Sequence, residues 1–215
     1  NDIYDIPKII HKIFLQHNKK LPNFPLEPLE LENAHDSWKK NNPEYEIKYY
    51  SFEDCRNYLI ENFKDTDYLQ AFDCLVPYSY KCDFMRFCIL YNEGGWYSDW
   101  KQECLEFDLL NTLNINKKNN FVYFLDNGNN FNTNYISTGF LGFNKNDSKL
   151  KVIINNIINN IKYNFYGDNS LCPTATGLLC NHLDFNLNSG EFKYDNNLPY
   201  YFYNDKKIIL NKSKK

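Results

Sequence analysis

No stretch of the sequence stays apolar over the roughly 20 residues that a membrane-spanning helix needs, and no secretory leader is expected from its opening residues. An excess of one charge is also missing. The 24 Lys and Arg against 27 Asp and Glu give a net charge of -3, which argues against nucleic acid or another polyanion as partner. The one strongly basic run, Lys212 to Lys215, reads as a solvated tail. The seven cysteines (Cys55, Cys74, Cys82, Cys88, Cys104, Cys172 and Cys180) are odd in number and form no C-x-x-C pair. The four histidines (His11, His17, His35 and His182) never stand at ligand spacing. Neither a disulfide framework nor a zinc centre is expected. Reduced thiols in a soluble cytoplasmic protein are, with any flanking anchor lying outside this sequence. No nucleophile-elbow or Cys-protease pattern occurs, which leaves little support for a hydrolase.

What is present suits one folded domain. There are 215 residues, 43% hydrophobic, 24% charged and 18% aromatic, enough to build a sizeable core and too ordinary for a disordered or coiled-coil chain. Asn is the commonest residue, alongside Lys, Ile, Tyr and Phe, a bias of the coding sequence rather than of mechanism. From Ile6 to Leu15 runs an apolar, β-branched segment that predicts a buried strand of a parallel sheet. A Pro-rich loop (Leu21 to Pro28) leads to a helix carrying Ala34 and Trp38, broken at Asn41-Asn42-Pro43. A strand follows over Tyr45 to Tyr50, then a helix from Ser51, with Asp54 at the capping-box position. A long helix is predicted over Pro77 to Glu93, with Gly94 as a left-handed cap, and then a short strand from Trp96 to Trp100. Strands over Phe121–Leu125 and Tyr135–Phe143 come next, then a helix from Asp147-Ser148 to Lys162 and another over Pro173 to Leu183. Two short strands, Tyr200–Tyr203 and Lys207–Leu210, end the chain. This alternation predicts an α/β fold.

Three signals that could carry chemistry fall within 17 residues. Asp83 and Arg86, three apart, share one helix face. Gly94-Gly95 permits a tight turn and close approach of a ligand. Asp99 ends a strand, at the carboxyl-end crevice where open α/β sheets bind ligands. Alone, each has a plain structural explanation: an ion pair, a helix cap, a turn residue. Together they are far more specific.

The block from Lys81 to Asp99 (Lys81-Cys82-Asp83-Phe84-Met85-Arg86, then Gly94-Gly95-Trp96-Tyr97-Ser98-Asp99) resembles the S-D-x-x-R and G-G-x-Y-x-D-x-D signature of DXD-containing nucleotide-sugar glycosyltransferases. That group includes glycosyltransferase family 32, capsular polysaccharide synthesis proteins, yeast-type initiating mannosyltransferases and, more distantly, the clostridial glucosylating toxins. Ile6-Pro7-Lys8-Ile9-Ile10-His11-Lys12-Ile13-Phe14 is similar to their first strand, I-P-K-I-I-H-q-i-W. Ser37-Trp38 through Asn42-Pro43 to Ile47, and Ile136 to Phe140, resemble two further segments. The best match covers residues 6–143, and a looser echo lies around Leu171 to Leu179.

The resemblance implies a single GT-A domain, a Rossmann-like fold over residues 1–215 with 144–215 as its C-terminal part. It implies a retaining hexosyl- or N-acetylhexosaminyltransferase of polysaccharide biosynthesis. The donor would be a nucleotide-diphosphate sugar, UDP-sugar favoured and GDP-sugar possible, and the acceptor a glycan or a protein- or lipid-linked glycoconjugate. Asp99 and Asp83 would be catalytic. Phe14, Ile13, Leu15, Asp83, Arg86, Gly95, Tyr97, Ser98, Asp99 and Lys101 would bind the donor, Phe14 by stacking on the base. Ser137 and Thr138 would face the acceptor. Manganese or magnesium would sit at Asp99, with Asn211 and Ser213 as further candidate ligands. His11 is as well explained as a buried strand residue as by ligand contact.

Departures from the pattern are equally specific. The D-x-D reads Asp99-Trp100-Lys101, so a cation replaces the second carboxylate, and either substitutes for the metal or turns away and leaves the metal to Asp99. Cys82 replaces the Ser, Thr138 the acceptor-side Asn and Phe14 the Trp, and the C-terminal motif survives at most as Leu210 to Ser213. Two readings stay open: an active transferase, and a degenerate one that binds nucleotide sugar or a partner without turnover.

Overall fold

A computed structural model describes residues 6–15, 29–105, 108, 121–126, 135–168, 170–182, 192–195 and 198–212. Ser213 and Leu183 lie outside them. The elements run β1 (Ile9–Ile13), α1 (Leu29–Asn41), β2 (Glu46–Tyr50), α2 (Phe52–Asn62), α3 (Tyr68–Cys74), α4 (Tyr78–Glu93), β3 (Gly95–Ser98) and β4 (Gln102–Cys104). Then come β5 (Phe121–Asp126), β6 (Tyr135–Phe143), α5 (Ser148–Lys162), α6 (Thr176–His182), β7 (Phe192–Asp195), β8 (Tyr200–Tyr203) and β9 (Lys206–Asn211). Among the described residues no helix is long and apolar enough to cross a membrane.

Local chemistry explains several boundaries. Ser51 caps α2 in a closed capping box: its hydroxyl takes the Asp54 N–H, and the Asp54 carboxylate takes the Ser51 N–H at 2.9 Å. Asp147 caps α5 by accepting from the Lys149 N–H at 2.8 Å, and Leu150, Ile153, Ile154 and Ile157 then recur at helical spacing on its buried face. Several boundaries differ from the sequence expectation: β3 ends at Ser98, which leaves Asp99 and Trp100 in a turn, and α6 starts at Thr176 rather than at Pro173. β1 is shorter, because the Ile9 N–H turns back onto the Pro7 carbonyl. Gly94 has positive φ, but with ψ at -163° it is not a left-handed cap; it occupies extended backbone open only to glycine.

The sheet is mixed, not purely parallel. Its order is β2-β1-β3-β6-β5-β7-β8-β9-β4. β1 lies parallel to β2 and β3, β6 runs antiparallel between β3 and β5, and β7 lies parallel to β5. The last three pairings are antiparallel. α2 to α6 cover one face, over a core that includes Ile13, Phe84, Phe87, Tyr97, Leu141 and Ile153. The other face holds Ile10, Trp38, Trp96, Phe124, Phe140, Tyr201 and Ile209. Trp38 and Trp96 both stack on Phe140, at 5.7 and 5.5 Å.

Only three residues, Asp99 to Lys101, separate β3 from β4 in the chain, yet five strands lie between them in the sheet. The sheet must therefore curl back, bringing β4, β8 and β9 over the Trp96–Phe140 side. β3 leaves α4 through Gly94-Gly95. At Gly95, φ is +97° and a Cβ would stand 2.7 Å from the Ile9 carbonyl oxygen. Gly95→Ala should cost about 1–3 kcal/mol of stability from backbone strain alone, read as a lower urea midpoint; an unchanged midpoint would contradict this account of the α4–β3 junction.

Candidate functional site

The site is assembled where α4 runs past the carboxyl end of β3. Asp83 and Arg86 lie on one face of α4, both buried, and Arg86 Nη2 stands 3.1 Å from Asp83 Oδ1. Arg86 also donates through Nη1 to the Thr138 carbonyl on β6, and through Nε to the Cys82 carbonyl at 3.3 Å. Its guanidinium lies 4.3 Å above the Tyr97 ring, and the Tyr97 hydroxyl donates to Asp99 Oδ1 at 3.0 Å. The Thr174 hydroxyl, just before α6, donates to Asp83 Oδ2 at 2.9 Å. Thr174, Asp83, Arg86, Tyr97 and Asp99 thus form one continuous cluster drawn from four parts of the chain. A cavity of about 410 Å³ opens between the start of α4 and the end of α5, lined among others by Tyr80, Ile157, Phe165 and Pro173; it meets this cluster only at Thr174.

Burial governs the charges. It pushes the Asp83 carboxyl up to about 6, against the pull of Arg86 and Thr174. Burial also opposes charge on Arg86, but Tyr97, Asp83 and Asp99 outweigh it and hold the guanidinium more firmly protonated than usual. Burial drives the Tyr97 phenol well up and the Cys82 thiol to about 12, so neither ionises at neutral pH.

Asp99 itself sits in the turn between β3 and β4. Its N–H donates to the Gly139 carbonyl at 2.9 Å, and its own carbonyl accepts from the Gln102 N–H at 3.0 Å. The approach to β6 is close: a Cβ on Gly139 would stand 2.6 Å from the Tyr201 hydroxyl and 2.9 Å from Asp99 Oδ2. Phe14, at the end of β1, is buried edge-on against Trp100 at 4.7 Å. Lys101 extends its ammonium over the Trp100 ring, 4.8 Å from its centre.

The other candidates from the sequence fall in several places. Ser98 is fully buried beneath the turn, and Leu15 is half-buried against the core. Ile13 belongs to the helix-side core, and Gly95 lies at the opposite end of β3 from Asp99; both pack rather than border the cluster. The Ser137 hydroxyl is within 2.8 Å of the Tyr201 hydroxyl, and Thr138 touches the cluster through its carbonyl. Asn211 is buried on β9 and donates to the Tyr194 hydroxyl at 3.2 Å, while Ser213 lies outside the described residues. His11 spans β1 between the Tyr50 hydroxyl at 3.0 Å and the Gly94 carbonyl at 2.9 Å, and burial lowers it to about 4, so it is neutral and structural.

The sequence reading missed Thr174, Gln102, Tyr201 and Lys12. Lys12 is fully buried, donating to Ser98 Oγ at 3.0 Å and to the Asp99 carbonyl at 3.1 Å, and burial lowers its ammonium to about 7. A lysine inside an apolar, β-branched strand was the signal available for it.

Asp83 supplies a pH test. Its carboxyl binds a proton more tightly folded than unfolded, so its contribution to stability is complete below about pH 4 and is lost as pH rises through about 6. The parent protein should therefore lose stability relative to Asp83→Asn by roughly 1.4 kcal/mol per pH unit across that window. Urea midpoints of the two proteins that stay parallel from pH 4 to 7 would contradict it.

Residues 28–122 match the family described as the glycosyltransferase sugar-binding region containing DXD motif. Over 99 residues the chain is 33% identical to an uncharacterized glycosyltransferase of Acanthamoeba polyphaga mimivirus, an alignment that takes in 46% of this chain and 37% of that protein. The chain thus spans little more than a third of that relative's length. In structure it is similar to the PaToxG glycosyltransferase, with a TM-score of 0.56 at 15% identity, covering 83% of this chain and 68% of the other. The likeness identifies the mixed α/β fold as GT-A-like, and Asp83, Arg86 and Asp99 all fall within residues 28–122, the stretch that is similar to the sugar-binding region of DXD-containing glycosyltransferases.

Proposed function

We propose that the protein transfers a sugar, with retention of anomeric configuration, from a nucleotide-diphosphate sugar to a glycan or glycoconjugate acceptor. UDP-sugar is the favoured donor and GDP-sugar the second choice; the sugar is a hexose or N-acetylhexosamine. The observation that carries this reading is the unbroken Asp83–Arg86–Tyr97–Asp99 cluster at the carboxyl end of β3, inside the matched region.

The chemistry suits the residues. Asp83 keeps unused lone pairs on both carboxylate oxygens and accepts from sugar hydroxyls. Arg86, clamped by Asp83, the Cys82 and Thr138 carbonyls and the Tyr97 ring, is a fixed cation that meets the negative charge gathering on the departing diphosphate. Trp100, packed edge-on against the buried Phe14, offers an aromatic ledge for the base. Ser137 and Thr138 stand on the acceptor side.

Asp99 is the protein ligand for manganese or magnesium in this reading. Among the described residues no group of three or more His, Cys, Asp or Glu could hold an ion alone. The donor set still fits, because ions of this class bind through one or two carboxylates completed by substrate phosphates and water. Asp99 Oδ1 accepts from Tyr97 and retains capacity, and Lys101 is drawn onto Trp100. Such an ion would neutralise charge on the diphosphate. Lys101 at the second acidic position also favours a second reading, a domain that binds nucleotide sugar without turnover.

Calorimetry of UDP-sugar binding with and without manganese, together with donor hydrolysis, tests both readings. Binding should strengthen with manganese, Asp99→Asn should remove that gain and cut turnover at least about 100-fold, and Lys101→Ala should do far less. Affinity that ignores manganese and collapses in Lys101→Ala would assign the diphosphate to the ammonium instead. Tight binding without hydrolysis or transfer would favour the second reading.

A further inference from the structure

Lys12 is a lysine shut away from solvent. It stands on β1, fully buried, on the face opposite His11. An ammonium has three N–H donors and no acceptor. Lys12 directs two of them to neutral oxygens, Ser98 Oγ at 3.0 Å and the Asp99 carbonyl at 3.1 Å, and it lies 5.3 Å from the centre of the Trp38 ring. Burial opposes its charge and outweighs the favourable pull of the Asp99 carboxylate, and an apolar side chain would fill the same space without the desolvation cost. Stability therefore does not account for a lysine here.

Its contacts do. Ser98 ends β3 and Asp99 begins the turn to β4. The same turn is gripped from its far side by Gln102, whose N–H donates to the Asp99 carbonyl at 3.0 Å and whose Oε1 accepts from Ser98 Oγ at 2.9 Å. Gln102 Nε2 then donates to the Tyr201 hydroxyl at 3.2 Å, and the Gln102 carbonyl accepts from Trp38 Nε1 at 2.8 Å. Lys12 and Gln102 thus hold Asp99 by one shared carbonyl oxygen and Ser98 by one shared hydroxyl. With the Asp99 N–H tied to β6, both backbone polar groups of this residue are engaged, and its carboxylate is set beside the Tyr97 hydroxyl.

We propose that Lys12 is a positioning residue, a buried clamp that fixes the Asp99–Lys101 turn and so aims the Asp99 carboxylate at the donor diphosphate. The assignment rests on the transferase reading of Asp99, whereas the clamping itself does not.

The experiment is hydrogen exchange of the Asp99 and Gln102 amides in Lys12→Met, run beside donor turnover. No polar group is orphaned by this change, because Ser98 Oγ and the Asp99 carbonyl both keep Gln102. Exchange at the two turn amides should accelerate about tenfold, the equivalent of one charge-assisted hydrogen bond, while the Gly94 amide at the end of α4 is unchanged and the melting temperature does not fall. The kcat should drop about tenfold with donor KM within about threefold, and in an Asp99→Asn background Lys12→Met should cost nothing further. Ser98→Ala, which removes one oxygen and keeps the lysine, should accelerate the same amides and serves if Lys12→Met fails to fold. Unchanged turn amides, or acceleration shared equally with α4, overturns the clamp. Responding turn amides in a protein that turns over no nucleotide sugar overturn the transferase reading and leave the clamp standing.

Discussion

Three elements meet on one guanidinium. Arg86 leaves α4, pairs with Asp83 on its own helix, donates to the Thr138 carbonyl of β6 and covers the Tyr97 ring of β3. A charge this deeply buried is tolerated only when its donors are met and an opposite charge is close. That requirement fixes where α4 sits over the sheet, to within hydrogen-bond tolerance. Asp83 is in turn fixed by Thr174, so the chain before α6 is tied to the same point. The helix layer and the candidate donor site are therefore one construction. A change that loosens the Arg86 contacts loosens the junction of α4, β3 and β6 as well as any ligand held there.

The opposite side of Asp99 is built on different physics. Here the curl of the sheet brings β4, β8 and β9 back over the Trp38, Trp96 and Phe140 stack, and the core is aromatic almost throughout. Five polar side chains enter it as a connected set: Lys12, Ser98, Gln102, Tyr201 and Ser137. Such a network is stable only if each member is satisfied, and each one here has a partner. Asp99 hangs between the two constructions, its side chain toward Tyr97 and its backbone held by β1, β4 and β6. The acidic residue is tied to three strands, although it stands in a turn.

The second acidic position shows what this arrangement leaves open. Lys101 lies beyond the clamped part of the turn, its ammonium over Trp100, and Trp100 packs against Phe14. Cation, indole and phenyl ring form a graded series from the half-exposed turn to the buried strand end. The lysine at this position therefore changes the charge offered to a diphosphate, and among the described residues its ammonium meets only the half-buried Trp100 ring.

Much of this was legible in the residues themselves. The capping box at Ser51, the helical spacing of Leu150 to Ile157 and the run from Asp83 to Asp99 are local patterns, set by neighbours three or four positions apart, and the structure contains the elements they predict. Elements without such patterns were not legible. β4 has three residues and α3 seven, with no side-chain cap on α3, and β7 exists because β5 and β8 flank it. The same division holds for the site. Asp83, Arg86 and Asp99 lie within one segment of sequence, so order and spacing pointed to them. Thr174 and Tyr201 reach the site only through the packing of α6 and the curl of the sheet, contacts that no periodicity encodes, whereas Gln102 is a sequence neighbour of Asp99 whose side-chain contacts with Ser98 and Tyr201 only the folded turn reveals. Lys12 lies between the two cases: a lysine in an apolar strand is visible in the sequence, but what its ammonium holds is decided by which strand end is folded against it.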